Sequence, residues 1–181
     1  MRAKRLFVSL DLPETIARDL VRLDPLQRGV RWLRPEQMHL TLSFLGYVEP
    51  AAEEKLRERL CAIRFTSFFL PLQGLGKFPK KGPVKILWLG VGQGHPHLFQ
   101  LHKRIAEAAL GAGLEPDLRP WHPHITLARC ESISPEAIRK FLREQADFDA
   151  GLIPVNQFQL KSSQLTPAGS HYTTELAVRA Q

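Results

Sequence analysis

At 181 residues, with 44% hydrophobic and 24% charged side chains, the chain has the make-up of an ordinary globular protein long enough for one substantial core. Its apolar runs, such as Phe68–Leu72 and Ile86–Leu89, fall far short of the roughly 20 residues that span a bilayer, so no membrane helix is expected. The formal charge of +7 favours polyanionic partners, while Cys61 and Cys130 are too few for a disulfide framework and belong to no CxxC pattern, which points to a reducing cytoplasm.

The first residues, Arg2, Lys4 and Arg5 followed by Leu6–Leu10, superficially resemble a secretory signal. Asp11 and Glu14 interrupt the apolar run at once, so Arg5–Leu10 reads as a first strand. A helix begins near Pro13, with Ile16, Leu20 and Leu23 at helical spacing, and ends before Gly29. Met38–Leu45 reads as a strand, then Ala51–Ile63 as a helix with Leu56, Leu60 and Ile63 on its apolar stripe. Strands are expected at Phe65–Leu72 and Val84–Val91, and a helix from about His97 to Leu110, stopped by Gly111 and Gly113. After a strand at His124–Ala128, Ser134-Pro135-Glu136 supplies an N-cap and a proline at the first helical position for a helix carrying Ile138, Phe141 and Leu142. Val155–Leu160 and Tyr172–Val178 close the series as strands. Strands and helices interleave without a linker, which predicts one α+β domain over residues 1–181.

Nearly the same tetrapeptide occurs twice, as His39-Leu40-Thr41-Leu42 and His124-Ile125-Thr126-Leu127. In a strand, residues i and i+2 project from one face, so each segment sends an imidazole and a hydroxyl one way and two aliphatic side chains the other. A lone His on such a strand is more often a hydrogen-bonded structural residue, and Thr is a good strand former in any case. The recurrence is what argues for function, because the chain has only seven His. If the two strands face each other, the cavity between them holds two imidazoles and two hydroxyls, a set suited to acid–base chemistry on a phosphate. Each motif also follows a segment containing Arg, Trp and Pro, namely Arg31–Pro35 and Arg119–Trp121, which hints at a pseudo-repeat.

On these residues the sequence resembles the two-histidine phosphoesterases, specifically the bacterial and archaeal RNA 2′,3′-cyclic phosphodiesterases, also called 2′-5′ RNA ligases. The resemblance runs over almost the whole chain: Arg5–Leu10, His39–Gly46, Leu87–Val91, His124–Arg129 and the closing Ser163–Tyr172, where Gly169-Ser170-His171 replaces the family's usual Gly-Pro before the Tyr. It implies a bilobal, pseudo-duplicated α+β fold with two antiparallel sheets around a central cleft flanked by helices, and no metal or other cofactor. It further implies His39 as proton donor and His124 as proton acceptor. The expected substrates are RNA ends bearing a 2′,3′-cyclic phosphate or small cyclic nucleotides, hydrolysed to 2′-phosphates, with 2′-5′ ligation as the companion reaction. Neither a membrane nor an obligate protein partner is expected, and the chain reads as a monomer.

Thr41 and Thr126 are the expected phosphate-binding hydroxyls. Arg129, Phe78, Lys80 and Tyr172 are further candidate substrate contacts. Arg129 is an odd number of steps from Thr126, so it reaches the phosphate only if the strand ends or bulges; otherwise it serves a surface ion pair. Phe78, with Lys77, Lys80 and Lys81, either stacks a base beside a basic loop or belongs to the core under a solvated one. Phe44 and Tyr47 read as packing residues. Two other functional classes compete: a non-catalytic module that binds RNA ends, and a zinc hydrolase using His95, His97, His102, His122 or His171, whose spacing suits metal ligation poorly.

Overall fold

The apolar periodicities become nine strands and four helices in the computed structural model, which describes residues 2–92, 95–115, 117, 119–167 and 169–181. Ala168, within the closing segment singled out above, lies outside the described residues. In chain order the elements are β1 (Lys4–Asp11), α1 (Glu14–Val21), β2 (Val30–Trp32), β3 (His39–Val48), α2 (Pro50–Cys61), β4 (Phe68–Phe78), β5 (Ile86–Val91), α3 (Pro96–Gly111), β6 (His124–Cys130), α4 (Pro135–Glu144), β7 (Asp149–Val155), β8 (Gln157–Thr166) and β9 (Gly169–Arg179).

Three expected elements change, the strand expected at Phe65–Leu72 running instead from Phe68 to Phe78 as β4, and β2 and most of β7 were not expected. The first helix stops at Val21, well before Gly29, because Asp24 precedes Pro25 and the proline ring disfavours helical geometry in the residue before it. The strand expected at Val155–Leu160 straddles the corner between β7 and β8: Asn156 alone separates them, its carbonyl accepting from Ala180 N at 2.8 Å, and residues 157–160 are strand in β8. An apolar run on both sides of a corner hides the break. Ser134 caps α4 as expected, its Oγ accepting from Ala137 N at 3.1 Å. Among the described residues no helix is long and apolar enough to cross a membrane.

The strands pair in the order β7-β4-β5-β6-β3-β1-β8-β9, with β2 attached to β6, and every pairing is antiparallel. One half of this curled sheet contains β3, β1, β8 and β9, the other β7, β4, β5, β6 and β2. They join at Leu40↔Ile125, in the middle of the two HxT motifs. On one face, α2 and α3 cover the sheet through Leu56, Leu60, Leu98, Leu101 and Ile105, in a core shared with Leu40, Leu42, Ile125 and Leu127. Those four motif residues are 0% exposed, and burying each aliphatic side chain contributes about 1.5–3 kcal/mol. The α4 helix covers a second cluster, in which Ile138 and Phe141 meet Val84, Leu87, Ala128 and Cys130.

Both motif strands bulge at the same place. Val8 pairs with Ser43 and Ser9 with Thr41, leaving Leu42 as the extra residue in β3; Leu87 pairs with Ala128 and Trp88 with Thr126, leaving Leu127 as the extra residue in β6. A bulge reverses which face the following side chains occupy. After each HxT motif the alternation is therefore inverted.

Candidate active site

Before the bulges, period-two alternation puts His39 and Thr41 of β3 and His124 and Thr126 of β6 opposite the core, and all four line one cleft of about 800 Å³. Leu40 faces Ile125 across the antiparallel junction, so one step either way His39 meets Thr126 and Thr41 meets His124. The register thus places each motif histidine opposite the motif threonine of the other half.

The two rings are anchored identically. His39 Nδ1–H donates to Gln37 O at 2.9 Å, and His124 Nδ1–H donates to His122 O at 2.7 Å. A carbonyl can only accept, so each Nδ1 holds a proton and each Nε2 is left to exchange one. Phe7 lies 4.9 Å from His39 between ring centroids, and Tyr172 meets it edge-on at 5.1 Å. Phe78 meets His124 edge-on at 5.1 Å and packs against Trp88.

These surroundings are hostile to a second positive charge. Burial, aided by the Lys161 ammonium, pushes His39 down to about 4, against the opposing pull of the Gln37 carbonyl and the Asp11 carboxylate. Lys161 is itself buried and ion-paired with Asp11. Burial likewise lowers His124, opposed by its bond to the His122 carbonyl and assisted by the His122 ring. In the free protein burial thus favours the neutral form of both motif rings.

The bulges decide two further contacts. Phe44 is 55% exposed and lines the cleft, and Tyr47 is 75% exposed, so neither is the packing residue expected from the sequence. Phe44 pairs with Phe7, a cleft residue, because the Leu42 bulge has turned it over. Arg129, on the core parity of a regular strand, is turned into the cleft in the same way by the bulge at Leu127. Tyr172 also lines the cleft, whereas Phe78 and Lys80 do not: Phe78 backs His124, and the Lys80 carbonyl accepts from Lys77 Nζ at 2.8 Å in the exposed loop.

Sequence reasoning missed a clamp on β3. The carbonyl of Leu42, freed from the ladder by its bulge, accepts from His102 Nδ1–H of α3 at 2.7 Å, and the Thr41 carbonyl accepts from Trp121 Nε1–H at 3.2 Å. The two donor rings stack at 4.0 Å and 6°. Thus His102, one of the imidazoles considered for zinc, fixes the backbone beneath Thr41. Among the described residues no three His, Cys, Asp or Glu side chains converge as a metal cage.

The family model described as the 2′-5′ RNA ligase superfamily matches residues 12–164. The RNA 2′,3′-cyclic phosphodiesterase of Aeropyrum pernix is 35% identical over 152 residues, covering 83% of this chain and 86% of that protein. That of Archaeoglobus fulgidus is 30% identical over 174 residues, covering 93% and 96%. Among solved structures, Escherichia coli LigT in apo form superposes with a TM-score of 0.82 at 27% identity over 100% of both chains. Its complex with 3′-AMP gives a TM-score of 0.82 at 28% identity over 99% of both chains.

Proposed function

The chain belongs to the 2′-5′ RNA ligase superfamily, and on that footing we propose that it hydrolyses RNA 2′,3′-cyclic phosphate ends to 2′-phosphates, with His39 and His124 as its acid–base pair. The observation that carries this reading is the twofold arrangement of the cleft: two imidazoles, each tethered through Nδ1 to the carbonyl two residues back, each with Nε2 available and the other half's motif threonine opposite it.

Opening the ring requires water to attack phosphorus in line with the departing O3′, so base and acid must stand on opposite sides of the phosphoryl group. Neutral His124 takes a proton from the attacking water, the P–O3′ bond breaks, and His39 delivers a proton to O3′. Thr41 and Thr126 donate hydrogen bonds to the non-bridging oxygens, where charge builds in the transition state. Because His39 is neutral in the free protein, it acquires its proton as the phosphate anion enters, the negative charge offsetting both burial and Lys161. A 5′-hydroxyl in place of water would form a 2′-5′ linkage with the same pair. Phe44 offers an exposed aromatic face on which the terminal base stacks. Free thiols at Cys61 and Cys130 suit a reducing cytoplasm, and both sheet halves contribute to one cleft, as a monomeric two-lobed domain requires.

The test is to incubate chelator-treated protein with an oligonucleotide ending in a 2′,3′-cyclic phosphate and identify the product end. A 2′-phosphate, formed at an undiminished rate, is expected, since imidazoles move the protons and hydroxyls stabilise the charge. Loss of activity on chelation with recovery in zinc would favour the metallohydrolase instead, and binding without turnover the RNA-end-binding module.

A further inference from the structure

Among the described residues four arginines, Arg5, Arg31, Arg119 and Arg129, line the cleft, and no carboxylate does. Arg119 is already engaged, its Nε donating to Asp117 at 2.8 Å. Arg31 and Arg129 differ from it: among the described residues neither pairs with an Asp or Glu. They are also direct cross-strand partners, Arg31 of β2 opposite Arg129 of β6. The flanking pairs, Val30 with Cys130 and Trp32 with Ala128, turn towards the α4 cluster, so both guanidinium stems rise from the cleft face.

Like charges directly opposite one another weaken a sheet. This chain keeps such a pair at the edge of its cleft, and Arg129 reaches it only because β6 gives up ladder pairing to form a bulge. An anion held between the two guanidinium groups removes the repulsion, and planar, bidentate recognition of phosphate is what guanidinium does best. The start of β9 borders Arg31, since a side chain built at Gly169 would stand 3.9 Å from Arg31 Nη1.

Distance separates this anion from the reacting phosphate. Arg129 lies three residues beyond Thr126, one of which the bulge absorbs, so roughly 7 Å of strand lies between them. That step matches neighbouring phosphates of one nucleic-acid strand, not two oxygens of a single phosphate. We propose that Arg31 and Arg129 form a second anion subsite, which holds the internucleotide phosphodiester immediately 5′ of the cyclic phosphate and selects oligonucleotide ends over cyclic mononucleotides. The subsite rests on the hydrolytic reading above.

The experiment compares three substrates on the full chain: a cyclic mononucleotide, a dinucleotide ending in a 2′,3′-cyclic phosphate, and the same dinucleotide with a neutral methylphosphonate linkage. Wild type should favour the natural dinucleotide over the neutral one by about tenfold in kcat/KM, the scale of one charge-assisted phosphate contact. Arg31→Gln should cut kcat/KM for the natural dinucleotide about tenfold more than for the mononucleotide, and Arg31→Lys should restore part of that difference. The salt dependence of dinucleotide hydrolysis should become shallower in Arg31→Gln. Inorganic phosphate should inhibit the mononucleotide and dinucleotide reactions to different extents if the subsite takes the diester. Equal rates for the natural and neutral linkages, or an equal loss on all substrates in Arg31→Gln, would overturn the subsite while leaving the hydrolase intact. No product from any of the three would overturn both.

Discussion

His39→Ala and His124→Ala should each lower kcat for cyclic-phosphate hydrolysis by at least about 10²-fold, within the 10²–10⁴ that a positioned acid or base supplies. The double variant should lose far less than the product of the two single losses, because both groups serve one concerted step and removing either already disables it. Folding should survive. Both side chains are only partly buried on the cleft face, whereas the fully buried half of each motif, Leu40 with Leu42 and Ile125 with Leu127, is untouched. Near-normal turnover in either single variant, measured with circular dichroism to confirm the fold, would remove that residue from the chemistry.

The second large effect separates the two roles. A phosphodiester whose leaving group is an activated phenol departs without protonation, so a missing general acid matters little and a missing base still matters fully. On such a substrate His39→Ala should regain most of the rate it loses on RNA, a recovery on the order of 10²-fold, while His124→Ala should not. Greater recovery in His124→Ala would exchange donor and acceptor and leave the two-histidine mechanism standing.

The HxT repeat was legible because it depends on the most local property of a strand, its alternation. Leu40 and Ile125 turn inward and His39 and His124 outward for the same reason that any amphipathic strand does. The junction at Leu40↔Ile125, which brings the motifs together, needs a tertiary pairing that composition cannot announce. Phe44 and Arg129 were misplaced or left open because a bulge inserts one unpaired residue and reverses everything after it. One trace existed: a charge such as Arg129 at a nominally core position, between buried Ala128 and Cys130, is what a bulge looks like in sequence. Trp121 and His102 left none, since they act through side-chain bonds to carbonyls on a distant strand. The corner at Asn156 was hidden for the opposite reason, an apolar run that continues through it.

The pH dependence of kcat/KM and of kcat, measured together on the wild type, tests the acid–base claim most directly. Only the pair with one ring neutral and one charged is productive, so each parameter should trace a bell whose limbs belong to the coupled pair. The kcat/KM profile reports the free protein, where burial lowers His124 and burial with Lys161 lowers His39 to about 4. Its maximum should therefore lie below the ordinary imidazole value of about 6.5, with activity falling as pH rises through neutrality and the charged ring is lost. In the complex the phosphate anion favours the imidazolium, which moves the kcat bell to higher pH. A kcat/KM that is flat from about pH 5 to 8, the range in which unperturbed imidazoles titrate, would contradict the mechanism.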